Sequence, residues 1–109
     1  MRILFDQGAP QPLRHHLTGH VVHTVYEQGW STLKNGVLLA TAEQAGYDLF
    51  ITTDQNLRFQ QNLTGRRLAI LVLKTTSWPK LRRHIGHIQR AVDAMSAGAY
   101  REIAFDTSP

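Results

Sequence analysis

The run Leu49-Phe50-Ile51-Thr52-Thr53-Asp54-Gln55-Asn56-Leu57 passes from apolar residues to two hydroxyls, a carboxylate and two amides. A buried strand that delivers polar groups at its carboxyl end has this pattern, and in an open parallel sheet that end is where ligands sit. Taken alone, Asp54 reads as a cap on the turn into the next helix, because Asp is among the best N-cap residues. A second strand of the same kind shifts the reading toward chemistry: Arg2-Ile3-Leu4-Phe5-Asp6-Gln7-Gly8 is again apolar, then Asp, then Gln. Two carboxylates meeting at one sheet edge, without a Cys or a hydroxyl-nucleophile motif, point to a hard divalent cation bound through oxygen, Mg²⁺ or Mn²⁺. Water and a substrate phosphate complete such a shell, so Asp6 and Asp54 suffice in principle.

These residues need elements to position them. After the first strand, Gly8-Ala9-Pro10-Gln11-Pro12 supplies a turn, and the prolines predict a short helix over Leu13–Leu17. Val21–Val25 is β-branched and reads as a second strand. Leu38, Thr41, Ala42 and Ala45 recur at helical spacing, which predicts a helix from Asn35, as its cap, to a stop at Gly46. The third strand is Asp48–Thr52, followed by a short helix or turn over Gln55–Asn62. Leu68–Leu73 is the longest apolar β-type run and predicts a central strand buried on both faces. Thr75-Thr76-Ser77-Trp78-Pro79 opens a helix in which Leu81, Ile85, Ile88, Val92 and Met95 form one apolar stripe, with Arg83, His87 and Arg90 opposite. That basic stripe reads as an ordinary solvated face or, alternatively, as a phosphate-contacting surface. Tyr100–Phe105 suggests an edge strand, and Asp106–Pro109 a flexible tail.

Strands alternating with helices predict a three-layer α/β/α domain with a mainly parallel central sheet of four to five strands. The 109 residues, 42% of them hydrophobic, form a single domain over 1–109. The absence of cysteine removes disulfides and thiolate metal sites and fits a reducing compartment. No signal peptide or transmembrane span is legible, so a cytoplasmic location and no membrane partner are expected. The formal charge of +4 makes a polyanion a plausible partner and is equally a common solubility device. His15, His16, His20 and His23 raise a zinc reading, but Thr18-Gly19 breaks any helix between His16 and His20 and no Cys or nearby acid completes a set, which favours structural or surface roles.

The succession of a strand ending in Asp6, a helix opening at Lys34-Asn35-Gly36 and the Thr53-Asp54-Gln55-Asn56-Leu57 turn resembles the PIN-like domains of the DUF5615 type, relatives of the VapC-like toxin ribonucleases. The resemblance runs from Arg2 to about Val92. It implies a PIN-like fold and a metal-dependent ribonuclease, often the toxin of a toxin–antitoxin pair. Asp6 and Asp54 stand at family carboxylates, while Gln7, Asn35 and Asn56 stand where the family carries Glu, Asp and Asp. The reading that follows gives the metal to Asp6 and Asp54, its shell to Asn35 and Asn56, the orientation of Asp54 to Thr53, and substrate contact to Lys34, Arg58 and Gln7. Glu43, two turns beyond Asn35, would be a third carboxylate if that helix faced the edge. Expected partners are RNA, a cognate antitoxin protein and a second copy of the chain. Amide oxygens bring no negative charge and so weaken both cation binding and water activation. The competing reading is therefore a PIN-like domain without catalysis that binds RNA or a protein partner.

Overall fold

In the computed structural model, residues 1–105 are described, and the tail expected over 106–109 lies outside them. Five strands form one sheet in which every pairing is parallel: β1 Arg2–Phe5, β2 Val21–Thr24, β3 Leu49–Thr52, β4 Ala69–Leu73 and β5 Tyr100–Ile103, in the order β2-β1-β3-β4-β5. Each crossover passes through helical structure: a 3₁₀ helix Gln11–His16 after β1, α1 Asn35–Gln44 after β2, and the single turn α2 Leu57–Gln60 after β3. The last crossover is longer, running through α3 Trp78–Leu81, a 3₁₀ turn Arg82–His84 and α4 Ile85–Asp93.

Alternation along the strands sends apolar side chains into two layers, because successive residues point to opposite faces. Ile3, Phe5, Leu49, Ile51, Leu71 and Leu73 join Leu13, Leu81, Ile88 and Val92 on one face. Leu4, Phe50, Ile70 and Val72 join Leu38, Leu39, Ala42 and Leu57 on the other. The result is the expected three-layer α/β/α arrangement. β4 is buried at all five positions, as its unbroken apolar sequence requires of a strand covered on both sides. Leu81, Ile88 and Val92 are wholly buried and contribute about 1.5–3 kcal/mol each, while Arg83, His87 and Arg90 are exposed.

Local chemistry sets the element ends. α1 stops at Gly46, whose φ of +86° and amide bond to the Glu43 carbonyl close the helix in the conformation glycine tolerates best. Ser77 caps α3 by accepting from the Lys80 amide at 3.4 Å, with Pro79 in the first turn. Gly98, at φ +75°, leads into β5 with its amide on the Arg67 carbonyl, and a Cβ there would lie 2.6 Å from the Arg66 carbonyl oxygen. Three local expectations change. The helix expected over Leu13–Leu17 is a 3₁₀ helix one to two residues earlier, begun by Pro12 near its start. The long helix after β4 is broken by the Arg82–His84 turn. Asn35 does not cap α1; Lys34 occupies that position without a side-chain bond, and Asn35 is the first helical residue. Among the described residues, no helix is long and apolar enough to cross a membrane.

Candidate functional site

The strand order reverses between β1 and β3: the chain leaves β1 for β2 on one side and returns to β3 on the other. The carboxyl ends of two strands that diverge in this way leave a crevice, the usual ligand position in an open α/β sheet. Asp6 follows β1 directly and donates its amide to the Ile51 carbonyl at 2.9 Å, so it lies level with the end of β3. Asp6 shares a side of the sheet with Leu4, and Thr52 with Phe50, so both face the α1–α2 layer.

Thr52 ties the two acids together. Its hydroxyl donates to Asp6 Oδ2 at 2.8 Å and accepts from the Asp54 amide at 3.0 Å, and the residue has no exposed surface. Asp6 Oδ1 accepts from the Gln7 amide at 2.9 Å. Asp54 Oδ1 accepts from the Asn56 amide at 3.0 Å, a tight local turn, and Oδ2 accepts from the Asn35 side-chain amide at 3.4 Å. Each carboxylate is thus oriented by protein donors yet only half-buried, and each oxygen keeps acceptor capacity beyond these bonds.

The remaining expected residues fall into place unevenly. Asn35 reaches Asp54 because α1 begins at the carboxyl edge. Asn56 meets Asp54 through its backbone, while its side chain is exposed. Thr53, expected to orient Asp54, instead packs on Gly8, where a Cβ would collide with its hydroxyl. Gln7 and Lys34 are exposed on the rim, Gln7 donating to the Ser31 carbonyl at 3.5 Å. Arg58 stacks over Phe59, 4.7 Å from the ring centre, and pairs with Glu102 at 3.5 Å. Glu43 is elsewhere: its carboxylate accepts from the Arg67 and Leu68 amides at the amino edge of β4, which hold it below the usual carboxylate range. A cavity of 350 Å³ opens at that same amino edge, lined by Met1, Glu43, Tyr47, Asp48, Arg67 and Met95, and no part of it is formed by Asp6 or Asp54.

A neighbouring cluster was not foreseen from sequence. Glu102 pairs with Val72 in the β4–β5 register, and Val72 with Thr52, so Glu102 stands two strands from Thr52 on the same side. It accepts from the Tyr100 hydroxyl at 2.6 Å and pairs with Lys74 at 3.3 Å as well as Arg58. Burial, then the bond and charge of Glu102, push the Tyr100 phenol up to about 12, and the nearby charge of Asp54 acts in the same direction. The Tyr100 bond in turn leads the groups that hold Glu102 low. The signal was present in the Tyr100-x-Glu102 alternation, which puts both side chains on one face, but only tertiary pairing shows what lies opposite.

The donors fit a hard cation better than zinc. Among the described residues no three His, Cys, Asp or Glu side chains gather into a metal-sized group. Two carboxylates match the sparse protein shell that Mg²⁺ accepts when water and phosphate supply the rest. The histidines are spread apart: His16 lies against Trp78, His20 pairs with Asp93 at 2.7 Å, and His23 bonds the Tyr47 hydroxyl at 2.8 Å. No protein-family model, curated protein or solved structure matches this chain.

Proposed function

We propose that this chain is a PIN-like, Mg²⁺- or Mn²⁺-dependent endoribonuclease that acts at the Asp6–Asp54 crevice. The observation that carries the reading is the Thr52 hydroxyl, which joins both acids at the point where the strand order reverses. Asp6 and Asp54 would hold the cation, with the Asn35 and Asn56 amides at its margin. The ion would supply Lewis-acid polarisation of a phosphodiester and lower the pKa of a water. Thr52 and the Gln7, Asn35 and Asn56 donors keep the carboxylates aimed, as the outer contacts of a metal site do. The exposed Lys34 and Gln7 would contact the phosphate backbone, and Arg58 would join them on leaving its pair with Glu102. The resemblance supports the remainder: a cytoplasmic toxin, countered by an antitoxin protein and able to form a homodimer.

A second reading, a binding domain without catalysis, is favoured by one feature. Asn35 and Asn56 contribute no charge, so the crevice has two carboxylates where a stronger site would have four. Cleavage of a single-stranded RNA panel separates the two. Under the first reading wild-type protein cleaves weakly with Mg²⁺, and Asp54→Asn or chelator abolishes cleavage. Cleavage that survives both changes contradicts the metal reading, and a well-folded protein that never cleaves favours the binding domain.

A further inference from the structure

The positive charge of this chain is not spread evenly. The segment Trp78–Asp93 carries Lys80, Arg82, Arg83 and Arg90 against a single acid, Asp93, a net +3 within a chain of +4. All four cations are exposed, and none makes an ion pair with a described residue. Outside the segment, Arg14, Arg58 and Lys74 are each matched to a glutamate, whereas Arg2, Lys34, Arg66, Arg67 and Arg101 make no ion pair with a described residue and are divided among other elements. Asp93 is turned away from the cations to His20 and Gln89. His87 adds an exposed imidazole between Arg83 and Arg90, and Arg90 lies back over Gly86, where a Cβ would be 3.2 Å from its guanidinium.

Position gives this face a direction. α3 follows the carboxyl end of β4, so the basic stripe starts at the edge that holds Asp6 and Asp54 and descends the outside of the opposite helical layer. From Lys80 to Arg90 it spans about 15 Å at ~1.5 Å per residue, the length of about four stacked nucleotides at ~3.4 Å each.

From this charge complementarity we infer that the outer face of the Trp78–Asp93 segment is a docking surface for the sugar–phosphate backbone of a single RNA strand, which it leads toward the Asp6–Asp54 crevice. The identity of the strand as RNA rests on the ribonuclease reading; the surface itself rests on the unpaired cations. The contacts are to phosphates, so they set affinity and salt dependence and carry no sequence preference.

Fluorescence anisotropy of a labelled oligouridylate, in EDTA so that no metal chemistry intervenes, tests it across about 50–200 mM KCl, each phosphate contact adding ~0.7 to the log–log salt slope. Arg83→Gln with Arg90→Gln should flatten that slope by about 1.4 and weaken binding several-fold. Arg83→Lys with Arg90→Lys should keep the slope, and so should Arg67→Gln at the amino edge. An unchanged slope in the folded glutamine double variant overturns the inference, as does a wild-type protein that ignores RNA while binding polyglutamate or anionic vesicles. The two readings fail separately. Absent cleavage with a flattened slope leaves the surface standing, and intact cleavage with an unchanged slope removes the surface alone.

Discussion

Replacing Thr52 with Val isolates the bond that holds the candidate site together. Val keeps the branched shape and removes the hydroxyl, so packing at this wholly buried position is nearly preserved while polarity is not. Two interactions are lost: the bond to the Asp6 carboxylate and the acceptor for the Asp54 amide. A hydrogen bond to a charged group contributes about 1.5–3 kcal/mol, and an orphaned buried donor costs about 1–3 kcal/mol. Asp6 is only partly buried and recovers part of its loss from water, which brings the expected destabilisation to about 2 kcal/mol. Urea melts followed by circular dichroism should then show a midpoint lower by about 1 M for a slope near 2 kcal/mol/M. Because the same hydroxyl holds the Asp6 carboxylate directly and fixes the backbone that carries Asp54, Mn²⁺ affinity should fall by about 10–100-fold, the usual loss when an outer contact of a metal site is removed. Thr52→Ser, which returns the hydroxyl, should recover most of the metal affinity. A Thr52→Val protein within about 0.5 kcal/mol of wild type would refute the bridging role, since that is the scatter of surface substitutions.

Two further outcomes follow from the same geometry. The Glu43 carboxyl is held low by the Leu68 and Arg67 amides, so its stabilisation is complete above its unfolded pKa near 4.5 and fades as pH falls through the lower folded value; Glu43→Gln should remove that part of the acid limb in pH-dependent urea melts and leave Mn²⁺ binding unchanged. Asn35→Asp together with Asn56→Asp should tighten Mn²⁺ binding by restoring negative charge at the crevice, measured by calorimetry, and an affinity unchanged or weakened would place those positions outside the site.

The strand ends were legible because period-2 alternation and the apolar-to-Asp transition are local signals, and Asp6 and Asp54 both stand at the carboxyl edge with Thr52 between them. The bridging hydroxyl was not, since a Thr-Thr pair leaves open which residue turns inward. Phe50 decides it: Thr52 shares its face and looks into the α1–α2 layer, while Thr53 falls outside the strand and meets Gly8. Asn35 has the composition of a helix cap, but one residue of register makes it the first helical residue, with its side-chain amide on Asp54. Glu43 lay on a helix whose apolar residues leave its orientation weakly specified, and the amides of the chain returning to β4 capture it at the far edge. Glu102 sits in a short edge strand whose neighbours are set by sheet order, which no local pattern reveals.

The central claim is that Asp6 and Asp54, joined by Thr52, hold a divalent cation. Titration of Mn²⁺ into the wild-type protein and into Asp54→Asn, by isothermal calorimetry, tests it directly. The account predicts a single weak site in wild type that disappears in the variant, while both proteins give the same circular dichroism spectrum. Equal binding by the two proteins, or no heat from a correctly folded wild type, contradicts it.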